Sequence, residues 1–199
     1  MNQNINFDII LPTLCKETLV RSIESVMVQS YGGWKLYVMS DGYDVETSNI
    51  SIPYDSRIKY FYLPDGPHND CGAYARNTGI ELSENEYICY IDDDDIWLRD
   101  HLSIMREIII DHDRPDIICT SGQEFRMKRR HRLSKELVKR DGQYNHTDIM
   151  TIGLCHKRDP SIQWNGLNLN NHDKELWDAF IKAGKKSFKS SCVTFQYER

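Results

Sequence analysis

The stretch FDIILPTLCKETLVRSIESVMVQSYGGWKLYVMSDG, residues 7–42, reads as strand, helix and strand in that order. Residues 7–11 are a short apolar run ended by Pro12, the pattern of a strand buried on both faces. From Lys16 to Ser30 the apolar residues Leu19, Val20, Ile23, Val26 and Met27 share one face of a helix. Gly32 and Gly33 stop that helix. WKLYVMS (34–40) is a second strand, ending in an Asp41-Gly42 turn. A helix between two strands of one sheet is a crossover, which makes the strands parallel.

The pattern continues outward. RIKYFYL (57–63) alternates as a third strand, 70–82 reads as a helix, and YICYI (87–91) is a central strand buried on both faces. LRDHLSIMREIIIDH (98–112) is a helix with Leu102, Met105, Ile108 and Ile109 inward, and DIICTS (116–121) is another strand. The order predicts an α/β fold with a mostly parallel central sheet and helices on both faces. The second half is less regular. A basic block (126–140) precedes a strand within HTDIMTIGLCHK (146–157), a loop at WNGLNLNN (164–171), the helix HDKELWDAFIKAG (172–184) and a β-like end from 187. There is no internal repeat and no low-complexity linker, so residues 1–199 read as one domain.

The formal charge of −5 argues against nucleic acid as a partner. No apolar run approaches the roughly 20 residues that span a bilayer. MNQNINFDIILP lacks the basic start and long apolar core of a secretion signal. The expectation is a cytoplasmic protein, with peripheral membrane contact as the alternative. The six cysteines (15, 71, 89, 119, 155 and 192) stand singly with no C-x-x-C pair, so they read as reduced thiols and not as zinc ligands.

In sheets of this kind ligands bind beyond the carboxyl ends of the strands. Three candidate sites fall there: Pro12-Thr13 after the first strand, Asp41 after the second, and the run Asp92 to Asp95 after YICYI. Hard divalent cations such as Mg²⁺ and Mn²⁺ prefer oxygen ligands and keep waters that phosphates replace. In an extended segment Asp92 and Asp94 point to one side and Asp93 and Asp95 elsewhere, so D-x-D is the smallest unit that aims two carboxylates at one ion.

These segments together resemble the family 2 glycosyltransferases, whose fold is GT-A, a Rossmann-like sheet. Residues 8–42 follow that family's opening strand, helix and second strand nearly position by position. GAYARNTGIELSENEYICYIDDDDIWLRDHL (72–102) matches its central segment, including Ala75-Arg76-Asn77 before the D-x-D strand. NNHDKELWDAFIKAG (170–184) matches its end, with a looser match at VTFQYER. The resemblance is strong over 7–105 and loose over 150–199. It implies a nucleotide-sugar-binding part, 1–105, and an acceptor and catalytic-base part, 106–199.

By that resemblance Pro12, Thr13 and Leu14 line the nucleotide base and Asp41 accepts the N3–H of uracil. Arg76 reaches the base or diphosphate. Asp92 and Asp93 bind the donor, while Asp92 and Asp94 hold Mn²⁺ or Mg²⁺, with Asp94 as the direct ligand. The family's base lies in a Glu-Asp pair opening a late helix. Here the pair is His172-Asp173, so Asp173 is the expected base and His172, a departure, is a supporting group or an alternative base. The reaction implied is metal-dependent, inverting transfer from a UDP-linked sugar to a hydroxyl acceptor, in glycan or polysaccharide synthesis. Trp97, Trp164 and Trp177 are candidates for stacking on sugars, with core packing favoured for Trp177.

Each residue also has a plainer reading: Asp41-Gly42 as a simple turn, Arg76 as a surface ion pair, Asp173 as a helix cap. A sugar nucleotidyltransferase is disfavoured because LPTLCKE lacks a phosphate-binding glycine. The pattern also admits a non-catalytic nucleotide-binding relative, or an anionic-surface or nucleic-acid module built on 126–140. That block has few aromatics and reads as a solvated loop.

Overall fold

The computed structural model describes residues 4–44, 48, 50–125, 149–166 and 171–198. Its elements run β1 (Phe7–Thr13), α1 (Leu19–Met27), β2 (Trp34–Asp41), β3 (Ile58–Leu63), α2 (Ala73–Leu82), β4 (Tyr87–Tyr90), β5 (Ile96–Trp97), α3 (His101–Asp111), β6 (Ile117–Phe125), a 3₁₀ turn (Thr151–Gly153), β7 (Leu154–Lys157), α4 (His172–Lys182) and β8 (Ser187–Glu198). The sheet order is β3-β2-β1-β4-β7-β6-β8-β5.

β1, β2, β3 and β4 are mutually parallel where they pair, as the crossover reading requires. β1 is buried along its whole length. Alternation along it sends Phe7, Ile9 and Leu11 to one face, with α1 and α3, and Ile10 to the other, with α2 and α4. β4 divides in the same way, with Tyr87 and Cys89 on the first face and Ile88 and Tyr90 on the second. The helices therefore cover both faces.

Two contacts set the height of α2 against the sheet. Gly79 lies on Ile10 so closely that a Cβ there would come within 2.7 Å of Ile10 Cγ2. The fully buried Asp8 accepts hydrogen bonds from the Glu84 and Asn85 backbone N–H groups, at 2.6 and 2.7 Å, which fixes the turn from α2 into β4. Both contacts hold the first turn of α2 at the carboxyl end of β1.

The second half departs from a simple parallel order. β7 lies antiparallel between β4 and β6, and β5 pairs antiparallel with β8. β6 and β8 are parallel, with register shifts between Cys119 and Gly122. Of the expected strand segment 146–157, residues 149–157 are described, and there the strand runs over 154–157, preceded by the 3₁₀ turn. β5, two residues long, carries no periodic signal. The basic block 126–140 lies outside the described residues. Among the described residues no helix is long and apolar enough to cross a membrane. All six cysteines are free, and Cys89 and Cys119 are buried as their apolar settings imply.

Two histidines are sealed in this core. His156 Nδ1–H donates to the Lys157 carbonyl at 2.7 Å, leaving Nε2 to accept from the Tyr90 hydroxyl at 2.6 Å. Burial pushes its pKa down to about 4. His101 stacks on Trp97, with ring centroids 4.1 Å apart, and burial pushes it down to about 3. Each is neutral when folded but protonates near 6.5 when unfolded, so the unfolded state gains protons as pH falls below that value. Stability is full above pH 6.5 and declines toward pH 4, by up to about 1.4 kcal/mol per pH unit per histidine. Denaturant titrations at pH 7.5 and 5 should show this loss, and His156→Gln, which can keep both hydrogen bonds, should show a smaller one.

Candidate functional site

The carboxyl ends of β1, β2 and β4 open on one pocket of about 310 Å³. β1 contributes Pro12 and Thr13, followed by Leu14 and Lys16, and β2 contributes Asp41. Asp92, Asp93 and Asp94 follow β4, and Gly72 and Arg76 come from the start of α2. His172, the first residue of α4, also lines it. Pro12, Thr13, Leu14, Asp41, Arg76 and Asp92 to Asp94 thus meet, whereas Asp95, Asp173 and the tryptophans are not among the lining residues.

The four aspartates form a turn, closed by an Asp95 N–H to Asp92 carbonyl bond of 3.2 Å. Strand alternation stops there, and Asp92, Asp93 and Asp94 all line the pocket. Asp92 Oδ1 takes a 2.5 Å bond from Arg76 Nη2. Asp93 is buried, accepting from Thr13 Oγ1 at 2.8 Å, the Leu14 N–H at 3.3 Å and Lys16 Nζ at 3.0 Å. Lys16 also reaches Asp94 Oδ2 at 3.3 Å. Arg21 Nη2 holds the Asp94 carbonyl at 2.6 Å, and Ser22 Oγ the Asp95 carbonyl at 2.8 Å.

Burial raises the Asp92 pKa, with Arg76 opposing it. Burial and the charges of Asp92 and Asp94 push Asp95 up to about 8. For Lys16, burial acts downward, but the bonds and charges of Asp93 and Asp94 outweigh it and raise the ammonium pKa.

Arg76 is 3% exposed, which rules out the surface ion pair. Its Nη1 donates to the Cys71 carbonyl at 2.5 Å, and its guanidinium lies 4.7 Å from the centre of the Trp164 ring. Its Nε has no hydrogen-bond partner among the described residues, so a donor group remains beside the pocket. Trp164 is itself positioned by Asn77, which donates to its carbonyl at 3.0 Å and accepts from its N–H at 2.8 Å. Asp41, also buried, accepts from the His68 N–H at 2.9 Å and contacts His68 Nδ1 at 2.6 Å. A Cβ on Gly66 would fall 2.0 Å from Asp41 Oδ1, so only glycine lets this loop lie against the carboxylate.

At the start of α4, His172 Nε2 is 3.1 Å from Asp173 Oδ1, and the same oxygen accepts a hydrogen bond from Thr151 Oγ1. Burial acts to raise the Asp173 pKa. The bonds from His172 and Thr151, with the charges of His172 and Arg76, outweigh it and leave the carboxyl below its usual range. The hydrogen bond with Asp173 raises the His172 pKa, against the effect of burial. Asn171 holds the cap position of α4 and Asp173 lies within its first turn, bonded to Thr151, so the plain capping reading fails. The tryptophans are corrections. Trp97 is in the core with its Nε1 on the Ile152 carbonyl, and Trp164 is buried beside Arg76. Trp177 packs in the core, as its helical face implies.

Residues 8–168 match the sequence model of Glycosyl transferase family 2. The chain belongs to this family. An uncharacterized glycosyltransferase of Rickettsia typhi is 28% identical over 196 residues, covering 90% of this chain and 60% of that protein. Among solved structures, S. aureus TarS (residues 1–349, in complex with UDP) superposes with a TM-score of 0.68 at 13% identity, covering 98% of this chain and 61% of that one. The mannosyltransferase PcManGT of Pyrobaculum calidifontis, in complex with GDP-Man and Mn²⁺, gives 0.65 at 12% identity, covering 98% and 56%. These likenesses establish the GT-A fold. The chain spans about 60% or less of the length of each of these proteins.

For a family 2 glycosyltransferase chain, the donor set after β4 is all oxygen, the chemistry a hard divalent cation needs. Among the described residues no three His, Cys, Asp or Glu side chains form a ready cage. Asp92 is engaged by Arg76 and Asp93 by Thr13, Leu14 and Lys16, whereas the Asp94 side chain is half exposed. The residues therefore fit an ion held by one carboxylate and completed by phosphate oxygens and water, as Mg²⁺ usually is.

Sequence reading missed Lys16, His68, Asn77, Thr151 and the place of Trp164 beside Arg76. Lys16 had a signal, as the one basic residue between the first strand and its helix; the others act through contacts distant in sequence. Asn77→Ala should remove both bonds to the Trp164 backbone. A loss of about 1–3 kcal/mol in urea denaturation is expected, and Asn77→Asp, which keeps the acceptor, should lose less.

Proposed function

We propose that this chain moves a glycosyl group from a UDP-linked sugar to an acceptor hydroxyl, with Mg²⁺ or Mn²⁺ and with inversion at the anomeric carbon. The observation that carries the reading is the convergence of three strand ends and the Arg76 guanidinium on one pocket, with α4 opening at its wall. The bound UDP of TarS and the bound GDP-Man and Mn²⁺ of PcManGT support it. Residues 1–105 serve the donor and 106–199 the acceptor and base, within a single domain. The acceptor is a hydroxyl of a glycan or polysaccharide.

In this reading Pro12, Thr13 and Leu14 border the base. Asp41 accepts the uracil N3–H, since a carboxylate has about four acceptor positions and His68 takes two. Arg76 reaches the base or diphosphate. Asp92 and Asp93 fix the donor-side turn, and Asp94 is the principal metal ligand, with Asp92 beside it. When bound there, the metal supplies charge neutralisation for the departing diphosphate. The acceptor oxygen forms its bond to the anomeric carbon from the face opposite the leaving group, which departs with the electron pair. The hydroxyl proton passes to the base at the start of α4, where Asp173 is the charged group.

Calorimetry should find UDP bound much more tightly with Mn²⁺ than with a chelator, and Asp94→Ala should remove most of that difference. Equal binding under both conditions would refute metal dependence. In the same titrations Asp41→Ala should weaken UDP about tenfold or more and narrow its preference over CDP. Asp173→Asn should retain UDP affinity and transfer sugar hundreds of times more slowly, because a positioned base typically contributes about 10²–10⁴-fold. Near-normal transfer by that variant would give Asp173 a structural role only.

A further inference from the structure

We propose that His68 determines base specificity as a positioning residue: it locks the Asp41 carboxylate in the orientation that selects uracil. The inference rests on the reading of Asp41 given above and adds the group that acts behind it. Asp41 lines the pocket, whereas His68 is not among the lining residues. His68 nevertheless holds both carboxylate oxygens. Its backbone N–H donates to Oδ2 at 2.9 Å, and its ring Nδ1 bonds Oδ1 at 2.6 Å. A carboxylate only accepts, so Nδ1 carries a proton.

The terminal torsion of an aspartate is broad, and a single bond leaves the carboxylate free to turn about it. Two bonds from one residue, one to each oxygen, remove that freedom. Each oxygen has about two acceptor positions and gives one to His68, so Asp41 can still accept in the plane that His68 sets. His68 is held in turn. Its ring stacks on Tyr74, with centroids 3.9 Å apart and planes 22° apart. Tyr74 lies in the first turn of α2, where its N–H donates to Asp70 Oδ2 at 2.7 Å. The Gly42 N–H bonds the Leu63 carbonyl at 2.9 Å, which keeps the end of β2 against the loop that carries His68.

Uracil presents a donor at N3, and cytosine presents a bare lone pair there. A fixed acceptor binds the first and repels the second. A carboxylate free to turn can swing away from cytosine and admit water, which narrows the difference. Specificity is a difference of affinities, and His68 acts on that difference more than on nucleotide binding as a whole.

The test is calorimetry of UDP and of CDP with Mn²⁺ on the full chain. His68→Ala should reduce the preference for UDP about tenfold. His68→Asn keeps a donor where Nδ1 stands and should retain most of the preference, whereas His68→Gln, whose amide reaches the place of Nε2, should not. Once Asp41→Ala is present, adding His68→Ala should change the preference no further, because a residue acting through another adds nothing when the other is gone. Equal losses of UDP and CDP affinity, or equal effects of His68→Asn and His68→Gln, overturn the inference. A preference lost in Asp41→Ala but kept in His68→Ala would defeat it and leave the proposed function standing. A preference kept in both would defeat the reading of Asp41 as well. Labelling histidine with ¹⁵N gives a readout without ligand, the His68 signals being assigned by their loss in His68→Asn. The neutral ring should carry its proton on Nδ1, and the opposite tautomer overturns the inference.

Discussion

Four adjacent carboxylates at the end of a buried strand are unfavourable unless cations or dipoles surround them, because each charge is both desolvated and repelled by its neighbours. The structure answers this with groups from three directions. Arg76 comes from α2, Lys16 from the loop after β1, and Arg21 and Ser22 from α1. Each can reach the turn only if its element packs at the right height on the sheet. The close seat of Gly79 on Ile10 and the bonds from Asp8 to the turn before β4 set that height for α2. The architecture around the pocket follows from holding this charge in place.

That arrangement explains which parts were legible in sequence. Strand ends are read from local pattern, so Pro12, Thr13, Asp41 and Asp92 to Asp94 could be set at the carboxyl ends of strands, and these ends meet at one pocket. The helices of both faces followed from their apolar stripes in the same way. The turn at Asp92 was not legible, because alternation holds only while the chain stays extended, and it lets Asp93 line the pocket beside Asp92 and Asp94. His68 on Asp41 and Asn77 on Trp164 join segments far apart in the chain, and no periodicity encodes such a contact. Trp97 was a candidate for stacking on sugars, whereas β5 pairs with β8 and draws it into the core.

The start of α4 combines both kinds of information. Its helical pattern and the His172-Asp173 pair are visible in sequence, but the partners that define their chemistry come from Thr151 and Arg76. Lys16 shows the same limit on the donor side. Its position before α1 was plain, yet its bridge between Asp93 and Asp94 appears only once β1 and β4 are neighbours.

The place of β7 has a consequence for the order in which the fold can be completed on the ribosome. β4 is flanked by β1 on one side and by β7 on the other, and β7 ends at Lys157. A nascent chain that has emerged only as far as β6 can form the parallel β3-β2-β1-β4 unit, but one edge of β4 has no strand beside it. Bare apolar edges are the sites where chains pair with one another. Emergence of residues 154–157 closes that edge, so until then it stays open to pairing with other unfinished chains.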